Sequence, residues 1–248
     1  MFTETVEQYD LIYQSMKDYH DEAAKVAELV QSKLPGARRL LDVACGTGEH
    51  AKYLTREFGF EVDGIDIDPA FVDIARKKNP DGLFKCADMI DFSMGSQYDA
   101  VLCLFSSIGY VRDRTSLDRA VTAMFKHVAI DGCLIVEPWF EPGVLQDGRV
   151  VCVTAEADDQ KVSRMSYVRV LDRISEVRFE YLIGDSRGIR RATEVHKLGI
   201  FTRQEMMAAF RVAGCTAEFD EEGLIGRGLY LARRASSTPE QSAGSNTD

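Results

Sequence analysis

The stretch that limits the fold most is an apolar segment followed directly by a glycine turn and a segment of helical length. The apolar segment runs from Arg38 to Val43, the turn contains Gly46 and Gly48, and the helical segment covers 49–58. Glycine lacks a Cβ, so it can adopt a positive φ and let a ligand lie against bare backbone. The N–H groups at the start of the next helix favour a negatively charged group there. This order predicts a buried strand, a ligand-binding turn and a helix of an α/β sheet.

Asp42, at the end of that predicted strand, adds a carboxylate beside the turn. A backbone cradle for a carboxylate, next to an acid that attracts an ammonium group, suits the amino-acid end of S-adenosylmethionine (SAM). The turn also matches the dinucleotide fingerprint G-x-G-x-x-A, with Asp66 near the spacing of a ribose-binding acid, and the glycines could equally serve a structural turn. Asp42 and a further acid, Asp88, favour SAM, because a dinucleotide site needs no acid facing its pyrophosphate.

The composition of the chain disfavours several classes of protein. Its 248 residues are 45% hydrophobic, which is ample for a packed core in one domain or two. A net charge of −10 disfavours a nucleic-acid partner, because gripping phosphates requires many cations. No apolar run approaches the roughly 18 residues of a membrane span, so no membrane partner is predicted, and the acidic N-terminus does not resemble a signal peptide.

The six cysteines show no C-x-x-C spacing, and several lie within apolar, strand-like runs. They predict buried thiols in a reducing, cytoplasmic compartment rather than a disulfide framework or a zinc site. The four histidines are scattered along the chain, so no metal site is predicted.

The residue pattern divides the chain into five parts. Residues 1–37 carry two helical segments, predicted to cover an active site, and 38–147 alternate strands and helices as a SAM-binding core. Residues 148–200 hold four strand-length stretches separated by short polar turns, which is typical of an inserted antiparallel sheet. Residues 201–235 resume the pattern of the core. The small, polar residues of 236–248 predict a disordered tail.

The core sheet is predicted to have seven strands, and the chain six helices. The strands are expected at 38–43, 61–67, 83–87, 98–105, 133–137, 216–220 and 228–232. The helices are expected at 6–16, 21–33, 49–58, 69–78, 115–127 and 202–213. This alternation predicts an α/β fold with a doubly wound, seven-stranded, Rossmann-like sheet and the inserted antiparallel β-sheet.

Asp66 follows the second predicted strand, where a carboxylate can accept hydrogen bonds from both hydroxyls of a ribose. The alternative is that it caps the helix beginning at Pro69, a role that Asp68 could fill equally well. Its placement at the end of a strand favours the ribose.

Asp88 and Met89 follow the third predicted strand. There an acid can accept from the amino group of an adenine while a methionine packs on the ring, although an ordinary loop acid would look the same. Leu104 or Phe105, at the end of the fourth strand, would close the other face of the ring.

A loop beyond the fourth strand contains Ser106, Ser107 and Tyr110, and a corner with two prolines after the fifth strand contains Trp139, the only tryptophan. Ligands of open α/β sheets bind outside the carboxyl ends of the strands. The loop is therefore a candidate for binding the acceptor, with ordinary loop chemistry as the alternative. The corner could wall the active site or anchor the inserted sheet.

Three tyrosines, Tyr9, Tyr13 and Tyr19, recur on or just after the first helix. Aromatic stripes usually belong to the core. Their faces could also stabilise a sulfonium cation, by roughly 0.5–2 kcal/mol.

Seven segments together carry a resemblance to a known family. They are Tyr9-Asp10-Leu11-Ile12-Tyr13, Lys17-Asp18-Tyr19, Leu40 to Gly48, Ala87-Asp88-Met89, Phe105 to Tyr110, Val136 to Trp139 and Gly226-Arg227-Gly228-Leu229. With these segments the chain, over about residues 6–232, resembles the sugar N-methyltransferases. These are class I SAM-dependent methyltransferases that dimethylate the amine of dTDP-linked deoxyaminosugars of the desosamine and mycaminose type.

The resemblance implies roles for particular residues. The implied cofactor contacts are Tyr19, Ala44, Asp66, Asp88, Met89 and Leu104. The implied sugar-nucleotide contacts are Tyr13, Arg164, Ser166 and Arg227. The resemblance also implies a homodimer joined through the inserted sheets. The chain departs from the family pattern at 14–16, which is one residue short, and at Phe140, where a second tryptophan is usual.

Arg227 lies between two glycines and carries a guanidinium suited to phosphate oxygens, although a solvated arginine in a turn is the alternative. No essential general base is predicted, because a free amine can form through solvent. His196, with Glu194 on the same strand face, and Tyr110 are candidates to orient the amine. His127 is interpreted as a cation at a helix end.

Two other functions stay open from the residues alone. A SAM-dependent enzyme could methylate an oxygen or carbon of another small acceptor, and a nicotinamide oxidoreductase could use the same glycine turn.

Overall fold

The computed structural model describes residues 5–235; the predicted disordered tail, 236–248, lies outside the described residues. The α-helices of the described part are α1 (Val6–Gln14), α2 (Tyr19–Lys33), α3 (Glu49–Arg56), α4 (Pro69–Lys78), α5 (Arg114–Lys126) and α6 (Arg203–Val212). Its strands are β1 (Arg39–Val43), β2 (Glu61–Asp66), β3 (Phe84–Cys86), β4 (Tyr98–Cys103), β5 (Val128–Val136), β6 (Val150–Ala157), β7 (Gln160–Leu171), β8 (Ile174–Asp185), β9 (Gly188–Gly199), β10 (Ala217–Asp220) and β11 (Leu229–Arg233).

Seven of the strands form one twisted sheet in the order β10-β11-β5-β4-β1-β2-β3. The strands β1 to β5 pair in parallel, while β11 runs antiparallel to both β5 and β10. The order reverses direction beside β1, so the carboxyl ends of β1 and β4 face a crevice where ligands bind in doubly wound sheets. The predicted doubly wound, seven-stranded fold with an inserted sheet is confirmed.

The central strands are apolar because helices cover both faces of the sheet. Leu40 and Leu41 of β1 point to opposite faces, and both are fully buried, in two separate core clusters. Polar side chains appear only where these strands end. The sheet is thus a rigid support that delivers the side chains at its carboxyl edge.

The inserted sheet is a four-stranded antiparallel meander in the order β6-β7-β8-β9. Its turns include Asp158 and Asp172 with positive φ, which aspartate tolerates better than most residues. Alternate residues of β8 and β9 pack on α1, where Ile12 meets Tyr181 and Ala192. The insertion therefore places one sheet face against the N-terminal helix.

Most predicted boundaries differ from the observed ones by no more than two residues, and the start of the fifth strand differs by five. The fifth strand begins at Val128 rather than residue 133. Asp131, with a φ of 64°, and Gly132 resemble a turn in sequence, but the Asp131 N–H donates to the Arg234 carbonyl, so the strand continues through this pair. The second helix begins at Tyr19 rather than residue 21, because Asp18 caps it by accepting from the Asp21 N–H. Among residues 5–235, no helix is long and apolar enough to cross a membrane.

Candidate active site

The turn between β1 and α3 has the conformation that its glycines predict. Gly46 and Gly48 have φ of 55° and 73°. A Cβ at Gly46 would meet only the Tyr9 hydroxyl, 3.9 Å away, whereas a Cβ at Gly48 would lie 2.6 Å from Nδ2 of Asn79. Gly46 thus faces the crevice, but Gly48 is glycine because α4 packs against it. Both positions have the positive φ that was expected, and contact of Gly48 with the cofactor stays a prediction.

A small cavity lies beside this turn, with a volume of about 30 Å³. Its lining includes six of the predicted site residues, which are Tyr19, Asp42, Ala44, Gly46, Leu104 and Ser107. Asp42 is buried, and its Oδ2 has no hydrogen-bond partner among the described residues. Burial, followed by the nearby charge of Asp66, raises the pKa of Asp42 to about 7. An unpaired carboxylate in the cavity beside the glycine turn fits the ammonium group at the amino-acid end of SAM.

Asp66 braces the glycine turn. Its Oδ2 accepts from the Gly46 N–H at 2.9 Å, and its Oδ1 accepts from the Asp68 N–H at 2.9 Å. The helix cap that was the alternative role belongs to Asp68, which accepts from the Ala70 N–H. Burial raises the pKa of Asp66, while the backbone hydrogen bonds oppose the rise. A carboxylate has about four acceptor positions, so Asp66 keeps capacity for further donors.

Asp88 and Met89 lie outside the lining of the small cavity. Asp88 accepts from the Ile90 N–H at 3.1 Å in a short local turn, and Met89 packs against the hydrophobic core. The local bond uses one oxygen of Asp88, so its adenine role stays a prediction.

The N-terminal helix closes the crevice with aromatic rings. Tyr9, Tyr13, Tyr19 and Phe71 form one buried cluster, in which the rings of Tyr9 and Tyr13 are 4.5 Å apart. This cluster is separate from the two main cores, so the aromatic residues cover the glycine turn rather than support the sheet.

Lys17 is a site residue that the sequence reasoning missed. Its Nζ lies 4.2 Å from the ring centroid of Tyr19 and 3.8 Å from that of Phe105. It also forms a 2.7 Å ion pair with Glu22, which is itself 2.9 Å from His50. Burial lowers the pKa of Lys17, and Glu22 opposes this. The faces of Tyr19 and Phe105 therefore contact a lysine, and the suggested contact of the tyrosines with a sulfonium stays a prediction.

A polar network ties α1 to the turn. Asp10 accepts from the Thr47 hydroxyl and from Nζ of Lys78, each at 2.5 Å. Lys78 also forms a 2.7 Å ion pair with the buried Glu49 at the start of α3. These contacts join α1, α3 and α4 around the cavity.

The loop after β4 is held in an uncommon conformation. Phe105 and Ser106 have φ of 54° and 58° in succession. The Phe105 N–H donates to Oε2 of Glu137 at 2.7 Å, and the Ser106 hydroxyl donates to the Pro138 carbonyl at 2.6 Å. Arg227 donates to Ser106 Oγ at 3.0 Å. The end of β5 therefore positions the loop.

The guanidinium of Arg227 also lies 5.5 Å from the ring centroid of Trp139 and 5.1 Å from that of Phe140. Trp139 in turn donates from Nε1 to the Ser175 hydroxyl on β8, at 2.8 Å. The proline corner thus contacts both Arg227 and the inserted sheet. It can therefore form a wall of the active site and anchor the inserted sheet at the same time.

The inner face of the inserted sheet presents polar groups to the same crevice. Arg164 is buried between the rings of Tyr13 and Phe179, with 5.1 and 4.5 Å to their centroids. Its Nη2 reaches the sulfur of Met16, but Nε and Nη1 have no hydrogen-bond partner among residues 5–235. Ser166, also buried, lies next along this face. A buried cation with unused donors is suited to an anion.

His196 is buried on the same face. Its Nδ1 lies 2.9 Å from the Tyr110 hydroxyl, and its Nε2 lies 3.6 Å from Oε2 of Glu194. Burial lowers the pKa of His196. The structure therefore brings together Tyr110, His196 and Glu194, which are far apart in the sequence.

His127 lies at the C-terminal end of α5, as the sequence suggested. Its Nε2 accepts from the Met94 N–H at 3.1 Å, and its Nδ1 lies 2.8 Å from the Ala123 carbonyl. The ring therefore joins two backbone groups at this helix end, and its role as a cation stays a prediction.

Comparison with known proteins identifies this arrangement. A family model described as a methyltransferase domain matches residues 40–132. The dTDP-3-amino-3,6-dideoxy-alpha-D-glucopyranose N,N-dimethyltransferase of Streptomyces fradiae is 42% identical over 229 residues, which cover 92% of this chain and 89% of that protein.

Solved structures agree with this match. The crystal structure of Streptomyces venezuelae DesVI has a TM-score of 0.88 and 36% identity, covering 94% of this chain and 99% of that one. A SAM-bound amino pentose methyltransferase of Micromonospora echinaspora has a TM-score of 0.83 and 37% identity, covering 92% and 96%. The chain belongs to the family of SAM-dependent dTDP-aminosugar N,N-dimethyltransferases.

Proposed function

We propose that this protein transfers methyl groups from SAM to the amine of a dTDP-linked deoxyaminosugar and forms the dimethylamine, in the biosynthesis of an antibiotic or related natural product. The observation that carries the proposal is the 42% identity to a curated enzyme of this activity across nine-tenths of the chain. The crevice supports it, because the buried Arg164 lies over the ring of Tyr13 and the half-buried Arg227 bonds Ser106 in the loop after β4, and both guanidinium groups are suited to phosphates.

The proposed cofactor site uses the carboxyl ends of β1 to β4. Asp42 would take the α-ammonium group, and Asp66 the ribose hydroxyls, while it continues to hold the turn. The remaining proposed contacts are Tyr19, Ala44, Gly46, Gly48, Asp88, Met89 and Leu104. The small cavity holds about two or three waters, since each needs roughly 10–15 Å³, so it is too small for a nucleoside. We propose that α1, whose Tyr9 lines the cavity, moves aside to admit one.

The proposed acceptor site lies between the loop after β4 and the inserted sheet. Arg164 and Arg227 would bind the diphosphate, because guanidinium groups match phosphate oxygens in pairs of hydrogen bonds. An acidic protein needs such local cations to hold a dianionic group. The other proposed sugar-nucleotide contacts are Tyr13, Ser106, Ser107, Tyr110, Trp139, Ser166 and His196.

The chemistry requires little from any single side chain. SAM, when bound, supplies an activated methyl group that a free amine can take in line. If the amine has a pKa of roughly 8, about a tenth of it is neutral at pH 7, at a cost of about 1.4 kcal/mol. Alignment of two reactants in a dry site contributes roughly 7–11 kcal/mol. We therefore propose that the residues of the crevice act by positioning, with Tyr110 and His196 as orienting groups and no essential base.

We also propose a homodimer joined through the inserted sheets. The outer face of that sheet exposes Met165 (52% exposed) and Tyr167 (40%) on β7 and Val195 (42%) on β9, with Arg178 of β8 between Tyr167 and Val195. Exposed apolar patches of this kind mark interaction sites. The six cysteines are free thiols, which supports a cytoplasmic, reducing location.

The proposed function is tested by incubating the protein with SAM and dTDP-3-amino-3,6-dideoxyglucose, with a 4-amino isomer in parallel. Mass spectrometry should find an acceptor with two added methyl groups. The control is the corresponding dTDP-sugar with a hydroxyl in place of the amine, which should stay unmodified. Methylation of that control, or of neither aminosugar, would contradict the proposal. A thermal shift with SAM but none with NADH separates the enzyme from an oxidoreductase.

A further inference from the structure

Glu137, at the carboxyl end of β5, is an acidic residue that takes no part in the proposed binding of SAM or of the sugar nucleotide. Its side chain is 1% exposed. Oε2 accepts from the Phe105 N–H at 2.7 Å, whereas Oε1 has no hydrogen-bond partner among residues 5–235. A buried carboxylate oxygen without a donor is costly, and such atoms in native structures call for an explanation.

Neither neighbouring cation neutralises Glu137 directly. Lys17 and Arg227 are near enough to lower its pKa, against the larger rise caused by burial. Lys17 pairs with Glu22, and Arg227 bonds Ser106, and within the described part of the chain neither forms an ion pair with Glu137. The carboxylate therefore faces two positive groups but keeps one oxygen for another donor.

The location of Glu137 matches the place where the reacting nitrogen has to lie. Lys17 lies on the cofactor side of the crevice, because its Nζ contacts the ring faces of Tyr19 and Phe105. Arg227 lies on the proposed phosphate side, where it bonds Ser106. Glu137 lies between the two cations, because it bonds the N–H of Phe105, whose ring contacts Lys17 and which directly precedes Ser106. Lys17 is itself a primary alkylammonium, so its position shows that such a group is accommodated beside Phe105, the residue that Glu137 holds.

On the basis of the proposed function, we propose that Glu137 is the residue that recognises the acceptor's amino group, with its free oxygen accepting a hydrogen bond from that nitrogen. It selects the amine over a hydroxyl, because only the amine carries positive charge. Positive charge moves from sulfur to nitrogen during the transfer, so the carboxylate stabilises the transition state as well. The bound ammonium group loses one proton to solvent before it attacks as the free amine, and the methylated nitrogen loses a further proton to solvent afterwards. Glu137 acts as a positioning residue.

The test compares binding of two ligands to two variants. The ligands are dTDP-3-amino-3,6-dideoxyglucose and its 3-hydroxy counterpart, measured by calorimetry at pH 7. Glu137→Gln keeps an oxygen that can accept from Phe105 but loses the charge. Its affinity for the amino ligand should fall about tenfold to a hundredfold, as expected for a hydrogen bond to a charged group, and its affinity for the hydroxy ligand should stay within about twofold.

Glu141→Gln is the matched control, since Glu141 lies in the same proline corner but is 40% exposed and pairs with Arg203. It should bind both ligands as the wild type does. If Glu137→Gln weakens both ligands equally, Glu137 only supports the loop, and if it weakens neither, Glu137 has no role in recognition. Either result overturns the proposal.

A second measurement needs no variant. In the wild-type complex, the ¹⁵N-labelled amine of the ligand should titrate above its free pKa, because a neighbouring carboxylate favours the ammonium form. An unchanged or lowered pKa of the bound amine overturns the proposal even if Glu137→Gln fails to fold. If the wild type binds neither sugar nucleotide, the proposed function fails as well. If the wild type binds the amino ligand and the hydroxy ligand equally well, the role of Glu137 is overturned but the proposed function is not.

Discussion

The hydroxyl of Tyr110 and Nδ1 of His196 lie 2.9 Å apart, although 86 residues separate them. Glu194 lies 3.6 Å from the other ring nitrogen of His196. Because burial lowers the pKa of His196, the ring is neutral near pH 7. A neutral ring between a phenol and a carboxylate is fixed in orientation, which suits a group that positions the acceptor.

We expect His196→Ala and Tyr110→Phe to lower kcat modestly, by about tenfold or less, since positioning is shared by many contacts. The pH–rate profile of each variant should still rise with the titration of the amine itself. Steady-state kinetics from pH 6 to 9 checks this. Complete loss of activity in a variant that still binds both substrates would show that an essential base is present.

Asp66→Ala should weaken SAM binding by about tenfold to a hundredfold, because the ribose hydroxyls lose a charged acceptor. It should also lower the melting temperature, since Asp66 holds the backbone of Gly46 and Asp68. Asp68→Ala is the control. Loss of that helix cap costs about 1 kcal/mol of stability, and calorimetry should find its SAM affinity unchanged. Equal SAM affinities for the two variants would remove Asp66 from the cofactor site.

Asp42→Asn should stabilise the protein increasingly as the pH rises. The pKa of Asp42 is raised from 3.8 to about 7, so the folded state binds a proton that the unfolded state releases between those values. Wild-type stability therefore falls with rising pH across this window, by at most about 4 kcal/mol in total. The variant does not lose stability in this way. Denaturant unfolding should therefore show a larger difference in the free energy of unfolding between variant and wild type at pH 8 than at pH 5.

The control for that prediction is Asp73→Asn, which changes an aspartate that is 65% exposed on α4 and should show no such trend. The Asp42→Asn variant should also bind SAM more weakly than the wild type, because it has no charge for the ammonium group. Tight SAM binding by Asp42→Asn would contradict the placement of the α-ammonium group.

Arg227→Lys should raise the KM for the sugar nucleotide several-fold and leave SAM affinity unchanged. Lysine keeps the charge but loses the forked donors that match phosphate oxygens and the stacking near Trp139. Initial rates at varied sugar-nucleotide concentration check this. Arg203→Lys is the control, because Arg203 is also near an aromatic ring, that of Phe219, but 44% exposed. Full activity of Arg227→Ala at low sugar-nucleotide concentration would refute the phosphate contact.

The sequence was sufficient to predict the core because the core follows local rules. Apolar strands, glycine turns and capped helices alternate in order, so the sheet and the position of the glycine turn were recoverable. The start of β5 was not recoverable, because Asp131 and Gly132 resemble a turn in sequence. The Arg234 carbonyl, which accepts from the Asp131 N–H, keeps this pair within the strand.

The site was recoverable only where residues stand at strand ends. Asp42 and Asp66 stood out because each ends a strand. Glu137 also ends a strand, but its partner Phe105 is 32 residues away and carries no polar side chain to suggest the contact. Lys17 lies in a short connector and matches no motif spacing by itself. The close approach of Asn79 to Gly48 was not predictable, because Asn79 follows 31 residues later at the end of α4.

The helix α1 contacts the glycine turn through Asp10 and Thr47 and the inserted sheet through Ile12. One element thus covers the cofactor crevice and the proposed sugar crevice together. Each methyl transfer uses one cofactor molecule, and we propose that α1 parts from the turn when that molecule is replaced. The same movement uncovers the sugar. Two methylations of one nitrogen should therefore be distributive, with the monomethylated sugar escaping into solution and accumulating before the dimethylated product.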